Sequence, residues 1–521
     1  MRLPITATRP LAIVLIASAV SAASVATSTA AHAVEPAAPW DFNGDGYLDL
    51  IVRAPYDDLH EIDEGMIHFL PGGPDGIDED AAVSAQIEDL GLADQHEARM
   101  GWSIASADFD VDGHADLAIG VPLYDRLALQ DAGAVIIVPG SADGPDLDAT
   151  TAFAQGVNGV AGIREADDLF GWSLAAGDFN GDERPDLAVA ARGEDTAAGA
   201  NIGYVHVLSA TVDGITPSSP EKTFTAASIG APTPAGDLLG FSMTSGDFDG
   251  DSIDDLAVSA ATADGFVGAP ALSGYVATMP GSPTGVQPAQ ATIVHGNSAG
   301  IDGTAGNGEF FGQSLAAADF DDDGRNELVI GVPLHAIGAS AAAGVVHVLV
   351  GTPSGITSAS SQTFHQNVAG IGDSVEALEG FGMGFDVGDV NGDGHVDLAV
   401  GVPGENAQGY NDTGAFHVIF GTGSGLSGVG SKVYTRASID VAGEPGTDHL
   451  MGISLVVRDF NDNDRADLAV GVRGDEVVGN TAAGSIHLFR GNQFGISVSN
   501  DRIIDETAFG DGPQPNDWLG V

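Results

Sequence analysis

The decapeptide Asp41-Phe42-Asn43-Gly44-Asp45-Gly46-Tyr47-Leu48-Asp49-Leu50 is the first of seven similar segments in this chain of 521 residues. The other copies begin at Asp108, Asp178, Asp247, Asp319, Asp389 and Asp459. Successive copies start 67 to 72 residues apart. Repeats at such a regular period indicate one array of structural units rather than several independent domains.

Each repeat contains four short apolar runs. The third repeat shows three of them, at residues 170–175, 186–189 and 203–208, and the fifth repeat shows the fourth, at residues 361–365. The runs are bounded by Gly, Pro, Asp and Ser, which is typical of strands, and no helical period is sustained. The pattern predicts an all-β fold: a seven-bladed β-propeller of four-stranded antiparallel blades over residues 34–521. The alternative, a linear β-solenoid, usually has much shorter repeats.

The two ends of the chain predict how the ring closes. The first repeat lacks a good first strand, because residues 34–39 contain Pro36 and Pro39. The C-terminal residues 517–521, Asp-Trp-Leu-Gly-Val, align with residues 168–172, Asp-Leu-Phe-Gly-Trp, as the start of an eighth copy. We expect this segment to join the sheet of the first repeat.

Residues 1–33 have the features of a secretory signal peptide. Arg2 and Arg9 precede an apolar run at residues 11–17, and small residues ending in Ala31-His32-Ala33 follow. This predicts cleavage after Ala33 and a secreted, extracellular protein. A membrane anchor is the alternative, but the run is shorter than the roughly 20 residues that span a bilayer. We therefore expect no membrane insertion.

The composition excludes several classes of function. The chain has 17 Lys and Arg against 74 Asp and Glu, a formal charge of -57. Such acidity disfavours nucleic acid, whose phosphates are bound by basic residues, and anionic membrane surfaces. With no Cys there is no disulfide, thiolate metal site or cysteine nucleophile. Hydrophobic residues make up 43%, enough for a large core despite the charge.

The seven repeated segments contain the candidate metal ligands. Acidic or amide residues occupy positions 1, 3, 5 and 9 of each loop, so that one tight turn can direct four side chains and the position 7 carbonyl at one point. Hard oxygen ligands of this kind suit calcium, and we expect up to seven ions. The candidate ligands are Asp41, Asn43, Asp45 and Asp49; Asp108, Asp110, Asp112 and Asp116; Asp178, Asn180, Asp182 and Asp186; Asp247, Asp249, Asp251 and Asp255; Asp319, Asp321, Asp323 and Glu327; Asp389, Asn391, Asp393 and Asp397; Asp459, Asn461, Asn463 and Asp467.

These loops are not EF-hands, because position 12 of the second loop is Ile119 rather than a bidentate Glu. Solvated Asx-Gly turns without metal are the alternative, although turns do not require carboxylates at positions 1, 5 and 9. Position 6 favours positive φ and hence Gly. It is Gly in loops 1, 2, 5 and 6 but Glu183, Ser252 and Asp464 in the others. Loop 7 also has only two carboxylates, so we predict that loops 2 and 5 bind calcium most tightly and loop 7 most weakly.

The repeat resembles the FG-GAP repeat of the integrin α-subunit head. Phe170-Gly171, Phe311-Gly312 and Phe381-Gly382 match its first element. Its second element is matched, with Val for Ala, at Gly120-Val121-Pro122, Gly331-Val332-Pro333 and Gly401-Val402-Pro403. The resemblance implies an integrin α N-terminal-like propeller with calcium on one face and ligand-binding loops on the other. Repeats 3, 4 and 7 lack the Pro, and all seven repeats carry an acidic loop, as in secreted bacterial FG-GAP proteins and some propeller lectins.

The resemblance implies a monomeric, non-enzymatic adhesion or protein-interaction module whose ligand is an extracellular protein or glycan. The alternatives are a lectin that binds sugars between blades and an extracellular hydrolase on a propeller scaffold. Variable loops on a rigid frame are where binding usually resides. The candidate ligand loops are residues 56–64, 89–99, 123–131, 373–379 and 404–413.

Three other features are predicted to be structural. Five histidines share one strand position: His68, His206, His347, His417 and His487. Residues 296–300 match a nucleophile-elbow pattern, which requires a strand-to-helix turn that a β array lacks. Arg473-Gly474-Asp475 spells a cell-adhesion tripeptide, but it occupies the slot of Pro403-Gly404-Glu405 in another repeat.

Overall fold

The computed structural model describes most of the chain after residue 36. The described residues are 37–56, 64–93, 97–125, 129–196, 199–233, 236–264, 271–407, 409–436, 438, 445–475, 483–509 and 519–520. The predicted signal peptide, residues 1–33, lies outside them. No helix in this part of the chain is long and apolar enough to cross a bilayer.

The strands form seven antiparallel sheets of consecutive strands, which we number as blades 1 to 7. Blade 1 contains β1 (Leu50–Ala54), β2 (Met66–Leu70) and β3 (Val83–Gln86). Blade 2 contains β4 (Ser103–Ala107), β5 (Asp116–Val121), β6 (Ala134–Val138) and β7 (Thr151–Phe153). Blade 3 contains β8 (Phe170–Gly177), β9 (Asp186–Ala191), β10 (Tyr204–Leu208) and β11 (Glu221–Thr225). Blade 4 contains β12 (Met243–Gly246), β13 (Asp255–Ala260), β14 (Tyr275–Met279) and β15 (Thr292–Val294).

The remaining three blades have the same order. Blade 5 contains β16 (Ser314–Ala318), β17 (Glu327–Val332), β18 (Val345–Val350) and β19 (Thr357–Phe364). Blade 6 contains β20 (Phe385–Gly388), β21 (Asp397–Val402), β22 (Ala415–Phe420) and β23 (Ser427–Thr435). Blade 7 contains β24 (Met451–Arg458), β25 (Asp467–Val472), β26 (Ser485–Asn492) and β27 (Gly495–Ile504). Short 3-10 turns lie at Glu79–Ala81, Leu147–Ala149, Pro288–Gln290 and Glu506–Phe509. The predicted seven-bladed propeller is confirmed, with four strands in each of blades 2 to 7 and three in the sheet of blade 1.

The chain's two ends together supply the first strand of blade 1. Gly520 and Arg53 exchange two backbone hydrogen bonds, of 2.8 and 2.9 Å, and the Leu519 N–H donates to Ala483 O at 3.3 Å. At the other end of the blade, the carbonyl of Trp40 accepts from the Asp49 N–H at 2.7 Å. The predicted pairing of the C-terminus with the sheet of the first repeat is thus confirmed for residues 519–520. Residues 517, 518 and 521 lie outside the described part of the chain.

Leu519-Gly520 stands in for the Phe-Gly pair of the other blades. In blade 6 the Phe381 N–H donates to Ala343 O at 2.9 Å and the Gly382 N–H to Gly401 O at 3.1 Å, which is the same pattern. Leu519 is buried in one hydrophobic cluster with Leu50 of blade 1 and Ile486 of blade 7. The C-terminus therefore joins the last blade to the first through both hydrogen bonds and apolar packing.

Close backbone contact between neighbouring blades explains the glycines of both repeat elements. A Cβ on Gly120 of blade 2 would lie 2.2 Å from the carbonyl oxygen of Gly171 in blade 3, and that oxygen also accepts a bond from Ser103 Oγ at 2.8 Å. Any larger side chain would push the blades apart. The repeat motif therefore reflects packing between blades as much as the fold of each one.

Because the consecutive strands of each blade are antiparallel, the connections between them lie at the two ends of the blade. Turns between the first and second strands, and between the third and fourth, lie at one end, which we call the acidic face. Turns between the second and third strands, and the connections to the next blade, lie at the other end, which we call the opposite face. The first strands line a central cavity of about 730 Å³.

The Arg-Gly-Asp segment is part of the packed structure. Asp475 is buried and accepts bonds from Arg436 Nη1 at 2.6 Å and Ser485 Oγ at 2.5 Å. Its carboxylate also lies 3.1 Å from His449 Nδ1. Burial raises the pKa of Asp475, but His449, His487 and Arg436 outweigh it and hold that pKa well below its usual range. The prediction that the tripeptide is structural agrees with this burial. Residues 296–300 follow β15 in irregular turns, without the helix of a nucleophile elbow.

We expect Asp475→Asn to destabilise the protein by about 3 kcal/mol, because it leaves a buried Arg436 without its counter-charge. Since the folded pKa of Asp475 is depressed, its contribution is present above the unfolded pKa of about 3.9 and is lost as pH falls below it. Urea unfolding at pH 7 and pH 3 measures both effects. The neighbouring Asp448→Asn, at a described surface position, is the control, and equal effects of the two variants would contradict the prediction.

Candidate metal centres

The seven acidic loops all lie on the acidic face, between the first and second strands of each blade. Position 1 organises the loop by accepting backbone N–H groups. In loop 2, Asp108 accepts from Asp112 N at 3.1 Å and from Gly113 N at 2.9 Å. Loop 4 repeats this arrangement with Asp247, Asp251 and Ser252. The turn is therefore formed around the position 1 carboxylate.

Position 9 begins the second strand in blades 2 to 7 and directly precedes β1 in blade 1, and it is buried in every blade. One of its oxygens accepts from the turn after the third strand, as Asp116 does from Gly140 N at 2.9 Å. Burial raises the pKa to about 7 for Asp49, Asp116, Asp186, Asp255, Glu327 and Asp397 and to about 6 for Asp467. Position 9 thus ties the loop to the sheet and places a poorly solvated carboxyl group beneath it.

Three loops bring carboxylate oxygens close enough for a shared cation. The groups have ligand atoms within 4.8 Å of one another and comprise Asp108, Asp110 and Asp116; Asp247, Asp249 and Asp251; and Asp319, Asp321 and Glu327. These are loops 2, 4 and 5, the loops with a carboxylate at all four positions. An all-oxygen set of this kind fits calcium.

The loops with Asn at position 3 are arranged differently. In loops 3 and 7 the amide group of Asn180 or Asn461 donates to the position 9 carboxylate. In loop 6 the Asn391 amide also donates to the position 9 carboxylate, at 3.4 Å, whereas in loop 1 the Asn43 amide donates to Asp45 Oδ2 at 3.1 Å. Internal amide donors satisfy oxygens that loops 2, 4 and 5 leave for a cation. The predicted ranking, with loops 2 and 5 strongest and loop 7 weakest, remains a prediction to which this geometry adds loop 4.

Positive φ angles occur at two positions of every loop. Position 6 has φ between 62° and 94°, including Glu183, Ser252 and Asp464, as the sequence predicts. Position 4 also has positive φ, from 51° at Asp462 to 81° at Gly250, which sequence reasoning missed. The available signal was the Gly at position 4 in four of the seven loops. Val111 of loop 2 takes this conformation at φ 57°, where a β-branched residue is strained.

We expect Val111→Gly to stabilise the protein by about 1 kcal/mol, since the left-handed conformation costs a residue with a Cβ roughly 1–2 kcal/mol. Denaturant unfolding in the presence of calcium measures the gain. Val212→Gly is the matched control, because Val212 is an exposed turn valine that has no positive φ. A loss of stability in Val111→Gly as large as that of the control would contradict the prediction.

Hydrogen bonds link neighbouring loops, a second feature missed from the sequence. The position 8 N–H donates to the position 1 carbonyl of the preceding loop from Ala115 to Asp41, from Asp254 to Asp178, from Asn326 to Asp247 and from Ala466 to Asp389, at 2.7 to 3.0 Å. Loop 3 has Pro185 at position 8, which has no N–H to donate. Pairing across blades depends on the ring geometry and leaves no local sequence pattern.

The candidate ligand loops lie on the opposite face where they are described. Residues 373–379 and 404–413, without 408, belong to blade 6. They expose the apolar side chains of Leu378, 72% exposed, and Tyr410, 43% exposed. Residues 57–63, 94–96 and 126–128 of the other candidate loops lie outside the described residues.

Aromatic side chains line the central cavity at its opposite-face end. Trp172 lies between Trp102, with ring centroids 4.9 Å apart, and Phe241, 6.4 Å away. The Arg192 guanidinium stacks over Trp172 at 4.0 Å and over Phe241 at 4.7 Å. Arg192 occupies the position that is Pro122 in blade 2, so the departure from the repeat pattern places a cation at this wall.

Comparison with known proteins identifies the repeat. The FG-GAP repeat family matches residues 35–70, 100–138, 170–208, 311–349 and 381–419. Bovine (Bos taurus) phosphatidylinositol-glycan-specific phospholipase D is 32% identical over 151 residues, covering 29% of this chain and 17% of that protein. Integrin alpha-PS2 of Drosophila melanogaster is 29% identical over 249 residues, covering 46% of this chain and 16% of that protein. Integrin alpha pat-2 of Caenorhabditis elegans is 27% identical over 248 residues, covering 45% of this chain and 18% of that protein.

The alignments span less than a fifth of the length of these relatives. The rhamnogalacturonan lyase YesW structure has 14% identity and a TM-score of 0.34, covering 71% of this chain and 61% of that chain. Repeats 4 and 7 fall outside the matched segments, yet they form blades with the same strand order as the others. The chain is an FG-GAP repeat β-propeller related to the integrin α subunits and to phosphatidylinositol-glycan-specific phospholipase D.

Proposed function

We propose that this chain is an exported, calcium-stabilised FG-GAP propeller that acts as a non-enzymatic adhesion or protein-interaction module. The observation that carries the proposal is the separation of its two faces. The acidic loops occupy one face, and those of loops 2, 4 and 5 group carboxylates for a cation. The longer, variable loops occupy the other face and expose apolar side chains there. The relation to integrin α subunits supports the same division of roles.

A binding comparison on matched surface variants tests the proposal. The full chain with calcium is immobilised and probed with extracellular-matrix and cell-surface proteins. We expect Leu378→Ser with Tyr410→Ser to lower ligand capture, while Val212→Ser, which removes an exposed apolar side chain on the acidic face, leaves it unchanged. Chelation should lower capture by all variants. Equal capture by both surface variants, or no ligand among these proteins, would contradict the proposal.

A lectin is the second candidate, favoured by the aromatic wall of Trp102, Trp172 and Phe241 in the central cavity. Aromatic faces pack against the apolar faces of sugar rings, and such concave sites with few polar groups are typical of small-ligand binding. A glycan array separates the candidates: glycan binding that Trp172→Ala abolishes and Phe494→Ala retains would favour the lectin. Phe494 is an exposed aromatic residue outside the cavity.

A hydrolase is the remaining alternative, since one group of relatives is named as a phospholipase D. We propose that this chain is not itself an enzyme. Screening the calcium-loaded protein against ester, glycoside and phosphodiester substrates tests this. Turnover that is lost in a loop 2 variant such as Asp108→Ala, with the fold retained, would overturn the proposal.

A further inference from the structure

The position 8 residue of loop 5 contacts loop 4 through two hydrogen bonds. Asn326 donates its backbone N–H to the carbonyl of Asp247 at 2.8 Å. Its side-chain Oδ1 accepts the N–H of Asp247 at 2.9 Å. Both polar groups of the Asp247 backbone are therefore held by one residue of the next blade. Asp247 is position 1 of loop 4, one of the three loops whose carboxylate oxygens lie within 4.8 Å of one another.

The same pair of hydrogen bonds recurs between loops 3 and 4. Asp254, position 8 of loop 4, donates its N–H to the carbonyl of Asp178 at 3.0 Å. Its Oδ2 accepts the N–H of Asp178 at 2.9 Å. The side chains of Asp254 and Asn326 differ in charge, but each places an oxygen at this point. What the two junctions share is therefore a hydrogen-bond acceptor and not a charge.

A glycine makes room for the acceptor at both junctions. Gly177 and Gly246 are the residues directly before position 1 of loops 3 and 4. A Cβ on Gly246 would lie 3.0 Å from Asn326 Oδ1, and a Cβ on Gly177 would lie 2.9 Å from Asp254 Oδ2. Neither glycine has a positive φ, so the backbone conformation does not require one. The close approach of a side chain from the next blade explains both glycines.

The other five loops have no such acceptor at position 8. The residues there are Leu48, Ala115, Pro185, Val396 and Ala466. Their side chains are apolar and cannot accept a hydrogen bond. The side-chain bond to the preceding loop is therefore a property of loops 4 and 5. Of the two loops that receive it, loop 4 is the one that also groups three carboxylates.

Blade 5 covers loop 4 with a second residue. Arg325, position 7 of loop 5, extends over position 4 of loop 4, because a Cβ on Gly250 would lie 3.0 Å from Arg325 Cγ. Asn326 follows it directly, and Glu327 then provides the buried position 9 carboxylate of loop 5. One side of loop 4 is thus formed by two consecutive residues of the next blade.

The backbone of Asp247 determines where its carboxylate lies. Asp247 Oδ1 accepts from Gly250 N at 2.7 Å and from Asp251 N at 3.1 Å. Its Oδ2 accepts from Ser252 N at 2.7 Å. The carboxylate and the turn around it therefore have one anchor, the backbone that Asn326 holds. Groups that orient metal ligands in this way typically contribute 10- to 100-fold to metal affinity.

We propose that Asn326 is a positioning residue for the cation of loop 4, so that this metal centre is completed by the neighbouring blade. The inference rests on the calcium binding proposed above for the acidic loops. Asn326 acts through Asp247 and is not itself a ligand. Without its side-chain oxygen, the Asp247 N–H loses its acceptor, and the ion must order a looser turn at a cost in conformational entropy.

Calcium titration of the full chain, followed by competition with a chromophoric chelator, tests the proposal. We expect Asn326→Ala to weaken one calcium site by about 10- to 100-fold. Asn326→Asp should bind calcium as the wild type does, because Asp254 accepts the same bond at the preceding junction. Asn367→Ala is the control, since Asn367 is an exposed asparagine in the connection after β19, on the opposite face.

Urea unfolding in calcium and in chelator separates positioning from a purely structural role. A structural contact would lower the stability of Asn326→Ala equally in both conditions. A positioning role lowers the part of the stability that depends on calcium. This part should fall little further when Asn326→Ala is added to Asp249→Ala, because both substitutions then impair the same site.

Gly246→Ala tests the same contact from the other side. Its Cβ would displace Asn326 Oδ1, so we expect it to weaken the same site, and it keeps the test usable if Asn326→Ala fails to fold. Wild-type calcium affinity in both variants, or additive losses with Asp249→Ala, would overturn this inference and leave calcium binding in place. No calcium uptake by the wild type would overturn both.

Discussion

Removal of calcium by a chelator is expected to lower the melting temperature of the full chain by about 10 °C. An ion that binds only the folded state stabilises it by about 2.7 kcal/mol when its free concentration is one hundred times Kd. Three filled loops would add about 8 kcal/mol to the free energy of unfolding. In a large domain, each 1 kcal/mol shifts the melting temperature by only about 1–2 °C. Calorimetric scans in calcium, in chelator and in magnesium measure the effect, and identical scans would contradict calcium binding.

The loop ranking can be tested by making the same Asp→Ala substitution at position 1 of two different loops. Asp108→Ala in loop 2 and Asp459→Ala in loop 7 each remove the position 1 carboxylate, which accepts Asp112 N and Asn463 N at 3.1 and 3.2 Å. Because Asp108 also accepts the Ala37 N–H at 2.9 Å, each variant is compared with itself in calcium and in chelator, and that difference reports calcium. We expect the loss of calcium-dependent stability to be larger in loop 2. Equal losses would contradict the ranking.

Deletion of residues 519–521 is the second large expected effect, a loss of about 5 kcal/mol in the free energy of unfolding. Burial of a leucine is worth roughly 1.5–3 kcal/mol, and each of the three backbone hydrogen bonds adds about 1 kcal/mol. The deletion also exposes the edge of β1, so that the ring opens between blades 7 and 1. Urea unfolding measures the loss.

Leu519→Ala separates the two contributions to this effect, since it removes the side chain and keeps the backbone bonds. We expect it to cost about 2–4 kcal/mol, less than the deletion. Phe381→Ala, at the equivalent position of blade 6, is the matched control for truncation within an intact blade. A deletion variant with wild-type stability would show that the C-terminal strand does not hold the ring together.

The repeated parts of this fold could be predicted because their signals are local. Alternation of short apolar runs with Gly and Asp turns marks the strands, and the spacing of carboxylates within ten residues marks the loops. Even the closure of the ring could be predicted from the sequence, because residues 517–521 repeat a motif that occurs elsewhere in the chain. In each case the residues that act together are neighbours in sequence or copies of one another.

The parts that escaped prediction depend on contacts between blades. Gln366 and Glu405 meet only because blades 5 and 6 are adjacent, and their hydrogen bond at 3.1 Å leaves no local sequence pattern. The bond from Ala115 N to Asp41 O joins two loops from different repeats. Val111 at positive φ contradicts local preference and is imposed by the turn around Asp108. Tertiary geometry, rather than propensity, decides these features.

The composite first strand of blade 1 also determines when the fold can be completed. Arg53 and Gly520 pair across almost the whole chain, and contacts of such long sequence separation form slowly because the intervening chain must first be ordered. Blades 2 to 6 contain their own strands and can form as the chain emerges. Blade 1 must wait until residues 519 and 520 are available to pair with it, so refolding monitored at Trp40 should lag behind the formation of the other blades.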